Sequence, residues 1–313
     1  MQSKETLLAP LVSLFDMPHP VVWNAVFKRT APLDVEIGFG MGEFLARQAS
    51  LYPERDFVGI EQLWERIYKT FKKIAETADS QNALDNIKIL QADARVVFER
   101  LFLPGSIDNI YCLYPCPWPK KAHIKHRIFC QDFFKLLNNR LKDGGRITVV
   151  TDFYPYFSWM LEEVQNTGFD VQTQRVAASY DTKFERKWLS GGQQEFFEAQ
   201  FVKIKNISYG LKEDVALKTY KLKEFDPKAF RFVDFKEDIA VIFKDFLFDA
   251  EQRRAMVYLI VSEGHLTQHF WVAITEQKGY WTVAKSEGQN FFPTPGIAKA
   301  IELVFEAAQN NRS

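Results

Sequence analysis

The sequence predicts an α/β protein with a mostly parallel sheet, followed by a smaller antiparallel α+β domain. Between residues 33 and 204, short apolar runs alternate with stretches whose apolar residues recur at helical spacing, which is typical of βαβ units. After residue 205 strands dominate, and turns such as Glu263-Gly264 and Lys278-Gly279 separate them. We therefore predict two domains, residues 1–205 and residues 206–313.

In the first region the expected strands and helices alternate along the chain. Strands are predicted at 33–37, 56–60, 87–91, 107–114 and 146–151, with two later strands at 169–176 and 195–204 that could pair antiparallel. Helices are predicted at 43–51, 63–75, 96–101, 128–141 and 156–166, and Pro53, Gly144-Gly145 and Gly168 supply stop signals after three of them. In the second region we predict strands at 216–223, 229–235, 239–248, 256–262, 268–275 and 280–284, then a helix at 295–308.

Composition and charge favour a folded protein of a reducing compartment. Of the 313 residues 47% are hydrophobic and 26% charged, close to ordinary folded domains. No apolar run approaches the roughly 18 residues that span a bilayer, and residues 1–5 contain no apolar signal core. Three cysteines without a C-x-x-C pair fit the cytoplasm, and with no fourth ligand at a recognised spacing they do not predict a metal site. We expect no membrane partner.

Residues 114–127 form a cationic segment on a chain that is neutral overall, with 40 basic and 40 acidic side chains. The segment reads Y-P-C-P-W-P-K-K-A-H-I-K-H-R, and no acidic side chain lies between Asp108 and Asp132. It follows a predicted buried strand, where open α/β sheets bind their ligands. The cations predict phosphate contacts, and Tyr114 and Trp118 offer stacking surfaces for a base. Trp118 is equally compatible with an anchor in the core.

Three acidic residues lie at or near the ends of successive predicted strands. Glu36 precedes the turn Gly38-Phe-Gly-Met-Gly42, Glu61 ends the second strand, and Asp93 follows the third. The glycines let the backbone approach a ligand, and carboxylates here can accept from ribose hydroxyls or an adenine amino group. Ordinary polar capping is the alternative for each acid taken singly. Because an all-acid pocket repels a pyrophosphate but suits S-adenosyl-L-methionine, the set predicts methyl transfer.

These motifs resemble those of the bacterial tRNA (guanine-N7)-methyltransferase family over residues 30–204. The matching segments are E-I-G-F-G-M-G-E (36–43), G-I-E (59–61), D-A (93–94), P-x-P-W-P-K-K-x-H-x-K-x-R (115–127), T-D (151–152) and T-K-F-E (182–185). The resemblance implies a seven-stranded Rossmann-like methyltransferase sheet. It also implies methyl transfer from S-adenosyl-L-methionine to N7 of a variable-loop guanine in tRNA. It does not reach residues 206–313, whose role stays open.

The resemblance further implies roles for individual residues. At the cofactor we expect Glu36, Gly38, Gly40, Glu61, Asp93 and Cys116. At the tRNA or its guanine we expect Lys120, Asp152, Thr182, Lys183, Phe184 and Glu185. Cys116 and Asp152 are the expected catalytic residues. In the loop expected after the strand at 169–176, Glu185 is expected to accept from the guanine edge, while Lys183 and Arg186 are expected to face phosphate.

Cys116 departs from the family pattern P-D-P-W-P-K, which has aspartate at this position. Guanine N7 carries a lone pair and no proton, so it needs no base. A lost hydrogen-bond acceptor costs about 1–3 kcal/mol, or about 5- to 150-fold in rate.

Three interpretations of Cys116 therefore stay open. The chain is an active enzyme in which Asp152 or Glu185 holds the guanine edge, a non-catalytic tRNA-binding protein on a methyltransferase scaffold, or a protein whose site works differently. A small-molecule methyltransferase conflicts with the basic segment. The sequence does not distinguish a monomer from a homodimer.

Overall fold

In a computed structural model of the protein, the described residues are 8–77, 84–193 and 195–309. Residues 1–5, considered above for a signal core, lie outside these ranges. The chain divides into two compact units, Met1–Leu211 and Lys212–Ser313. Within the described ranges, every helix is too short or too polar to cross a membrane.

The first unit contains a seven-stranded sheet. Its strands are β1 (Leu33–Ile37), β2 (Asp56–Glu61), β3 (Ile87–Gln91), β4 (Ile107–Leu113), β5 (Leu141–Thr151), β6 (Phe169–Val176) and β7 (Phe196–Lys203). Their order is β3-β2-β1-β4-β5-β7-β6. Strands β1 to β5 are parallel, and β7 pairs antiparallel with both β5 and β6. The predicted fold class and the antiparallel pairing of the last two strands are confirmed.

Helices follow most of these strands. They are α1 (Trp23–Phe27), α2 (Glu43–Leu51), α3 (Trp64–Thr77), α4 (Ala94–Arg100), α5 (Gln131–Arg140), α6 (Tyr154–Glu163) and α7 (Lys183–Ser190), with a 3-10 helix at Lys121–His126. Helix α3 buries Ile67, Thr70, Phe71 and Ile74, the three-to-four spacing of an amphipathic helix. Residues 182–185 were expected to lie in a loop, and this expectation is wrong because they begin α7. Thr182 and Glu185 form a capping box that starts the helix.

The second unit is an antiparallel sheet covered by one helix. Its strands are β8 (Tyr220–Leu222), β9 (Phe235–Lys236), β10 (Ile239–Asp249), β11 (Arg254–Glu263), β12 (Leu266–Gln277) and β13 (Tyr280–Lys285), in the order β8-β13-β12-β11-β10-β9. Helix α8 (Pro295–Gln309) buries Ile297, Ile301 and Val304. Of the strand predicted at 229–235, only Phe235 is in a strand, β9, and residues 229–234 are not. Phe230 is buried and Phe232 packs beside it in the same core, but this segment adopts no regular structure.

Residues 206–211 are hydrogen-bonded to helix α5. The Asn138 side chain donates to the carbonyl of Lys205 (3.0 Å) and accepts from the backbone of Ile207 (2.9 Å). Asn139 donates to the carbonyl of Ile207 (3.0 Å), and Arg140 to that of Gly210 (3.2 Å). The sequence placed this turn-like stretch in the second domain. We propose that the first domain ends at Leu211, because these contacts tie the stretch to the first unit.

Candidate active site

A cavity of about 910 Å³ lies at the carboxyl ends of the central parallel strands. Of the residues expected at a site, Gly38, Glu61, Asp93, Cys116, Asp152 and Phe184 line it. A smaller cavity of about 30 Å³ is lined by Glu36, Gly40, Thr182 and Lys183, and Gly38, Tyr114 and Phe184 line both. Lys120 and Glu185 line neither. The structure thus brings ten of the twelve residues named by sequence to two adjoining spaces.

The glycine turn between β1 and α2 has a left-handed backbone. The φ angles of Gly38, Gly40 and Gly42 are 69°, 58° and 70°, which L side chains rarely adopt. A Cβ at Gly42 would lie 2.1 Å from the Thr70 methyl group, whereas a Cβ at Gly38 would meet no atom within 4 Å. The turn is therefore closely packed beneath Gly42 and open at Gly38, where a ligand can approach the backbone.

Glu36 is a buried carboxyl group with an unpaired oxygen. Its side chain is 4% exposed, and Oε2 has no hydrogen-bond partner among the described residues. Burial raises the pKa of Glu36 to about 8, against the opposing charge of Arg47. A buried acceptor without a donor is costly, so this oxygen suits a cationic donor from a ligand.

Glu61 and Asp93 act as local caps and also line the larger cavity. Glu61 accepts from the backbone N–H groups of Gly40 (3.2 Å), Gln62 (2.9 Å) and Leu63 (3.1 Å). Asp93 caps helix α4 by accepting from the N–H of Arg95 (2.8 Å), and its other oxygen accepts from the Gln62 side chain (2.8 Å). Capping and ligand contact, posed as alternatives from sequence, are compatible at Asp93, because each of its oxygens keeps a second lone pair. Glu61 also accepts from the partly exposed Arg66 (3.3 Å), so a ligand hydroxyl would take the place of that contact.

Arg127 is an anchor of the cationic segment rather than a free cation. Its side chain is buried, and Nε donates to the carbonyl of Pro117 (2.9 Å). Its guanidinium lies 5.1 Å from the ring centre of Tyr156 and 5.2 Å from that of Trp159. The expectation that Arg127 contacts phosphate is therefore wrong in this structure, since its planar group is already stacked and hydrogen-bonded.

The other cations of this segment remain at the surface. Lys120, Lys121 and Lys125 are exposed. Trp118 is half-buried, lines the larger cavity and lies 5.1 Å from the ring of His126. The segment thus presents three lysines outward and an aromatic ring towards the cavity.

Glu185 is fully engaged within the protein. It is 1% exposed, and one oxygen accepts from the Tyr114 hydroxyl (2.6 Å) and from the backbone of Ser179 (3.2 Å) and Tyr180 (3.1 Å). The other oxygen accepts from the backbone of Thr182 (3.2 Å). A direct contact with the guanine edge, as the sequence suggested, would require breaking this network. Glu185 instead holds residues 177–190 (hereafter the 177–190 segment) against β4.

Arg186 is also paired within the protein. Its guanidinium donates to the Asp181 side chain (2.7 Å) and to Glu43. The expected phosphate contact of Arg186 therefore does not fit, because two carboxylates already neutralise its charge. Lys183 is exposed.

Asp152 and Cys116 line the same cavity with different exposure. Asp152 is half-buried just beyond β5, and burial raises its pKa above the ordinary value of an aspartate. Cys116 is exposed. Two carboxyl groups were expected at the guanine, Asp152 and Glu185. Of these, Asp152 lines the larger cavity and is not engaged in a helix cap or an ion pair of the described residues.

Trp188 is a cavity residue that sequence reasoning missed. It lines the larger cavity, stacks on Phe184 (5.5 Å between ring centres, 27° between planes) and lies 4.8 Å from Tyr114. The signal was present, since T-x-x-E starts a helix and residues 184 and 188 then share one face. These aromatic rings form one wall of the cavity.

Comparisons with known proteins identify the family of this chain. A family described as "Putative methyltransferase" matches residues 30–198. The tRNA (guanine-N(7)-)-methyltransferase of Chlorobium phaeobacteroides is 40% identical over 208 residues, which cover 66% of this chain and 98% of the relative. The chain belongs to the tRNA (guanine-N(7)-)-methyltransferase family. Among solved structures, the 16S rRNA methyltransferase KamB has a TM-score of 0.47 at 14% identity, covering 58% of this chain and 93% of that one.

Members of this family differ in the region beyond residue 211. The tRNA (guanine-N(7)-)-methyltransferase of Thermotoga maritima is 30% identical over 301 residues and covers 92% of both chains, so the similarity includes most of the second unit. The Chlorobium relative is matched over 98% of its own length by only 66% of this chain. The second unit is therefore not a general requirement of the family.

Proposed function

We propose that this chain transfers a methyl group from S-adenosyl-L-methionine to N7 of a guanine in the variable loop of tRNA. The observation that carries the proposal is a single cavity that contains Glu61 and Asp93 together with Cys116 and Asp152. One space thus holds both the acids expected at the cofactor and the residues expected at the guanine. Membership of the methyltransferase family supports the same reaction.

The residues of the site fit S-adenosyl-L-methionine. Glu36 offers a buried unpaired oxygen to the ammonium group, and the open side of Gly38 leaves room beside the backbone. Glu61 would accept from the ribose hydroxyls and Asp93 from the adenine amino group. When bound, this cofactor supplies a methyl group on a positively charged sulfur.

Asp152 is our candidate for holding the guanine. Its carboxylate would accept from the N1–H and N2–H₂ groups of the base, because the oxygens of Glu185 are occupied and a thiol is a weak partner. A carboxylate also favours the positive charge that methylation places on the purine. Guanine N7 needs no base, so the protein contributes mainly position and charge.

The surface around the cavity suits a folded RNA with one base turned outward. Lys120, Lys121 and Lys125 would contact phosphates, and affinity should then fall as salt rises. Phe184 and Trp188 form an aromatic wall on which the guanine can stack.

The test is transfer of labelled methyl from S-adenosyl-L-methionine to an unmodified tRNA transcript. We expect transfer by the natural protein, a roughly 10- to 100-fold slower reaction for Asp152→Asn, and a faster one for Cys116→Asp. Asp143→Asn is the control, because Asp143 is a 95% exposed carboxylate of strand β5, and neither Asp143 nor its ion-pair partner Lys203 lines either cavity. An inactive natural protein beside an active Cys116→Asp variant would contradict the proposal and indicate a tRNA-binding protein.

A further inference from the structure

Two side chains of helix α2 hold the 177–190 segment next to the glycine turn. Glu43, the first residue of α2, accepts a hydrogen bond from the backbone N–H of Lys183 (2.6 Å) and another from the guanidinium of Arg186. Arg47, one helical turn later, donates to the carbonyl of Tyr180. These contacts link positions 140, 143 and 133 residues apart.

The two elements joined in this way have different expected tasks. Helix α2 begins directly after the turn that contains Gly38 and Gly40, which we assign to the cofactor. The 177–190 segment carries Phe184 and Trp188, which we assign to the guanine. The small cavity between them is lined from one side by the turn and from the other by Thr182 to Phe184.

Two other hydrogen bonds attach the segment to the sheet. Glu185 accepts from the hydroxyl of Tyr114, directly after β4 (2.6 Å), and Tyr180 donates through its hydroxyl to Glu198 of β7 (2.7 Å). Neither contact reaches α2. The polar contacts described between α2 and the segment therefore come from Glu43 and Arg47, which also pairs with Asp181 (3.9 Å). Phe44 of α2 adds an apolar contact with the ring of Tyr180 (5.8 Å between ring centres).

We propose that Glu43 and Arg47 are positioning residues, which fix the guanine-binding segment relative to the cofactor-binding turn. This inference rests on the proposed function. Methyl transfer requires the reacting atoms to lie about 3–3.5 Å apart and in line, so small displacements of one element slow the reaction. Neither residue lines the larger cavity. Glu43 lines the smaller one, and the charge of Arg47 also acts on Glu36, so the measurements must separate cofactor binding from positioning of the segment.

Exposure makes this role separable from stability. The Glu43 side chain is 20% exposed and that of Arg186 is 48% exposed. An ion pair with one partner nearly half exposed contributes modestly to folding, so we expect the Glu43 variants to fold, and their Tm values check this. The effect should appear in the mobility of the segment and in the rate of the chemical step.

The experiment compares Glu43→Ala, Glu43→Gln and Glu65→Ala with the natural protein. Glu65 is the matched control, since it is also the acid of a helix's first turn and pairs only with Lys69 of its own helix among the salt bridges of the described residues. Three quantities are measured: amide hydrogen exchange of residues 180–190 without ligand, affinity for S-adenosylhomocysteine, and single-turnover methyl transfer to tRNA at saturating substrates.

For Glu43→Ala we expect faster exchange across residues 180–190 and a single-turnover rate about tenfold lower, with S-adenosylhomocysteine affinity changed less than about threefold. Glu43→Gln should recover part of the rate, because its amide oxygen can still accept from the N–H of Lys183. Glu65→Ala should match the natural protein in all three measurements.

Unchanged exchange and rate in Glu43→Ala would overturn the positioning role. A loss of S-adenosylhomocysteine affinity as large as the loss of rate would also overturn it, because Glu43 would then serve cofactor binding. A natural protein without methyl transfer would contradict the function on which the inference rests. An active natural protein with an unaffected Glu43→Ala variant would contradict the positioning role alone.

Discussion

Burial of Glu36 should couple cofactor binding to the release of a proton from this carboxyl group. With a pKa raised to about 8 by burial, this carboxyl group is mostly protonated at pH 7 while the site is empty. An ammonium group beside Oε2 would favour the ionised form and bring the pKa down. Binding near neutral pH should then release a proton, and affinity should rise with pH until about pH 8.

We therefore predict proton release on binding of S-adenosylhomocysteine at pH 7. Titration calorimetry in buffers of different ionisation enthalpy measures it, and Glu36→Gln should lower both the proton release and the affinity. Any titration of the ligand's own amino group occurs in both proteins and cancels in the difference. Equal proton release by the two proteins would exclude Glu36 as its source.

Two other residues change role once their partners are known. Glu185 and Arg186 look like free charges in the motif T-K-F-E-R, but each is held by several groups of the protein. Asp152 then becomes the acceptor that faces the cavity beside Cys116. We accordingly propose that Asp152, and not Glu185, takes over the role of the aspartate that the family has at position 116.

At the scale of an element, a glycine of the turn can be compared with a glycine elsewhere that has the same backbone conformation but lines no cavity. Gly38 and Gly105 have similar φ angles (69° and 63°), and a Cβ at either would meet no atom within 4 Å. Only Gly38 lines the cavities. Alanine at either position thus imposes the same backbone strain on the folded protein.

We predict that Gly38→Ala and Gly105→Ala each lower the free energy of unfolding by about 1–2 kcal/mol. Their Tm values should therefore fall by similar amounts. Only Gly38→Ala should weaken S-adenosylhomocysteine binding. Thermal unfolding and calorimetry of the two variants check this. Equal affinities in both variants would place the cofactor away from the turn.

The cationic segment divides into an anchor and a binding surface. Arg127 packs against two aromatic rings and donates to Pro117, while Lys125 is exposed on the same segment. We predict that Arg127→Ala lowers the free energy of unfolding by about 1–3 kcal/mol. Lys125→Ala should leave the Tm unchanged and weaken tRNA binding more at low salt than at high salt.

Thermal unfolding and tRNA binding at two salt concentrations test this division. Asn24→Ala is a suitable control for the binding arm, since it changes an exposed uncharged side chain of helix α1. If Lys125→Ala behaves like Asn24→Ala at both salt concentrations, the exposed lysines do not bind the RNA.

At the scale of the whole chain, the hydrogen bonds of residues 205–210 determine where it can be divided. A fragment ending at 205 would leave the side chains of Asn138 and Asn139 and the buried Arg140 without their partners in Ile207 and Gly210. Unpaired buried polar groups are costly. A fragment ending at 211 retains these contacts.

We predict that residues 1–211 form a fragment with a higher Tm than residues 1–205, and that the longer fragment keeps methyl transfer. The similarity to the Chlorobium relative, which matches only 66% of this chain, supports an independent first unit. Thermal unfolding and the labelled-methyl assay on both fragments provide the test. Equal Tm values for the two fragments would show that the contacts of residues 206–211 with helix α5 add no stability.

The sequence alone determined the class of fold and most strand positions. Strands and helices leave local signatures, since their side chains alternate with periods of 2 and 3.6 residues. Strands 33–37, 87–91 and 169–176 were predicted with the bounds observed, and the family resemblance implied the number of strands in the sheet. The glycine turn and the three acids were also readable, because each stands at or near the end of a strand.

The tertiary structure alone decided which charged residues are available to a ligand. Arg127 lies under two aromatic rings, Glu185 accepts from a tyrosine 71 positions away, and Glu43 holds a backbone group 140 positions away. A local pattern contains no information on such partners, because they meet only when the sheet brings distant segments together. For that reason the motif residues could be named from sequence, while the structure was needed to separate those that hold the site from those that face it.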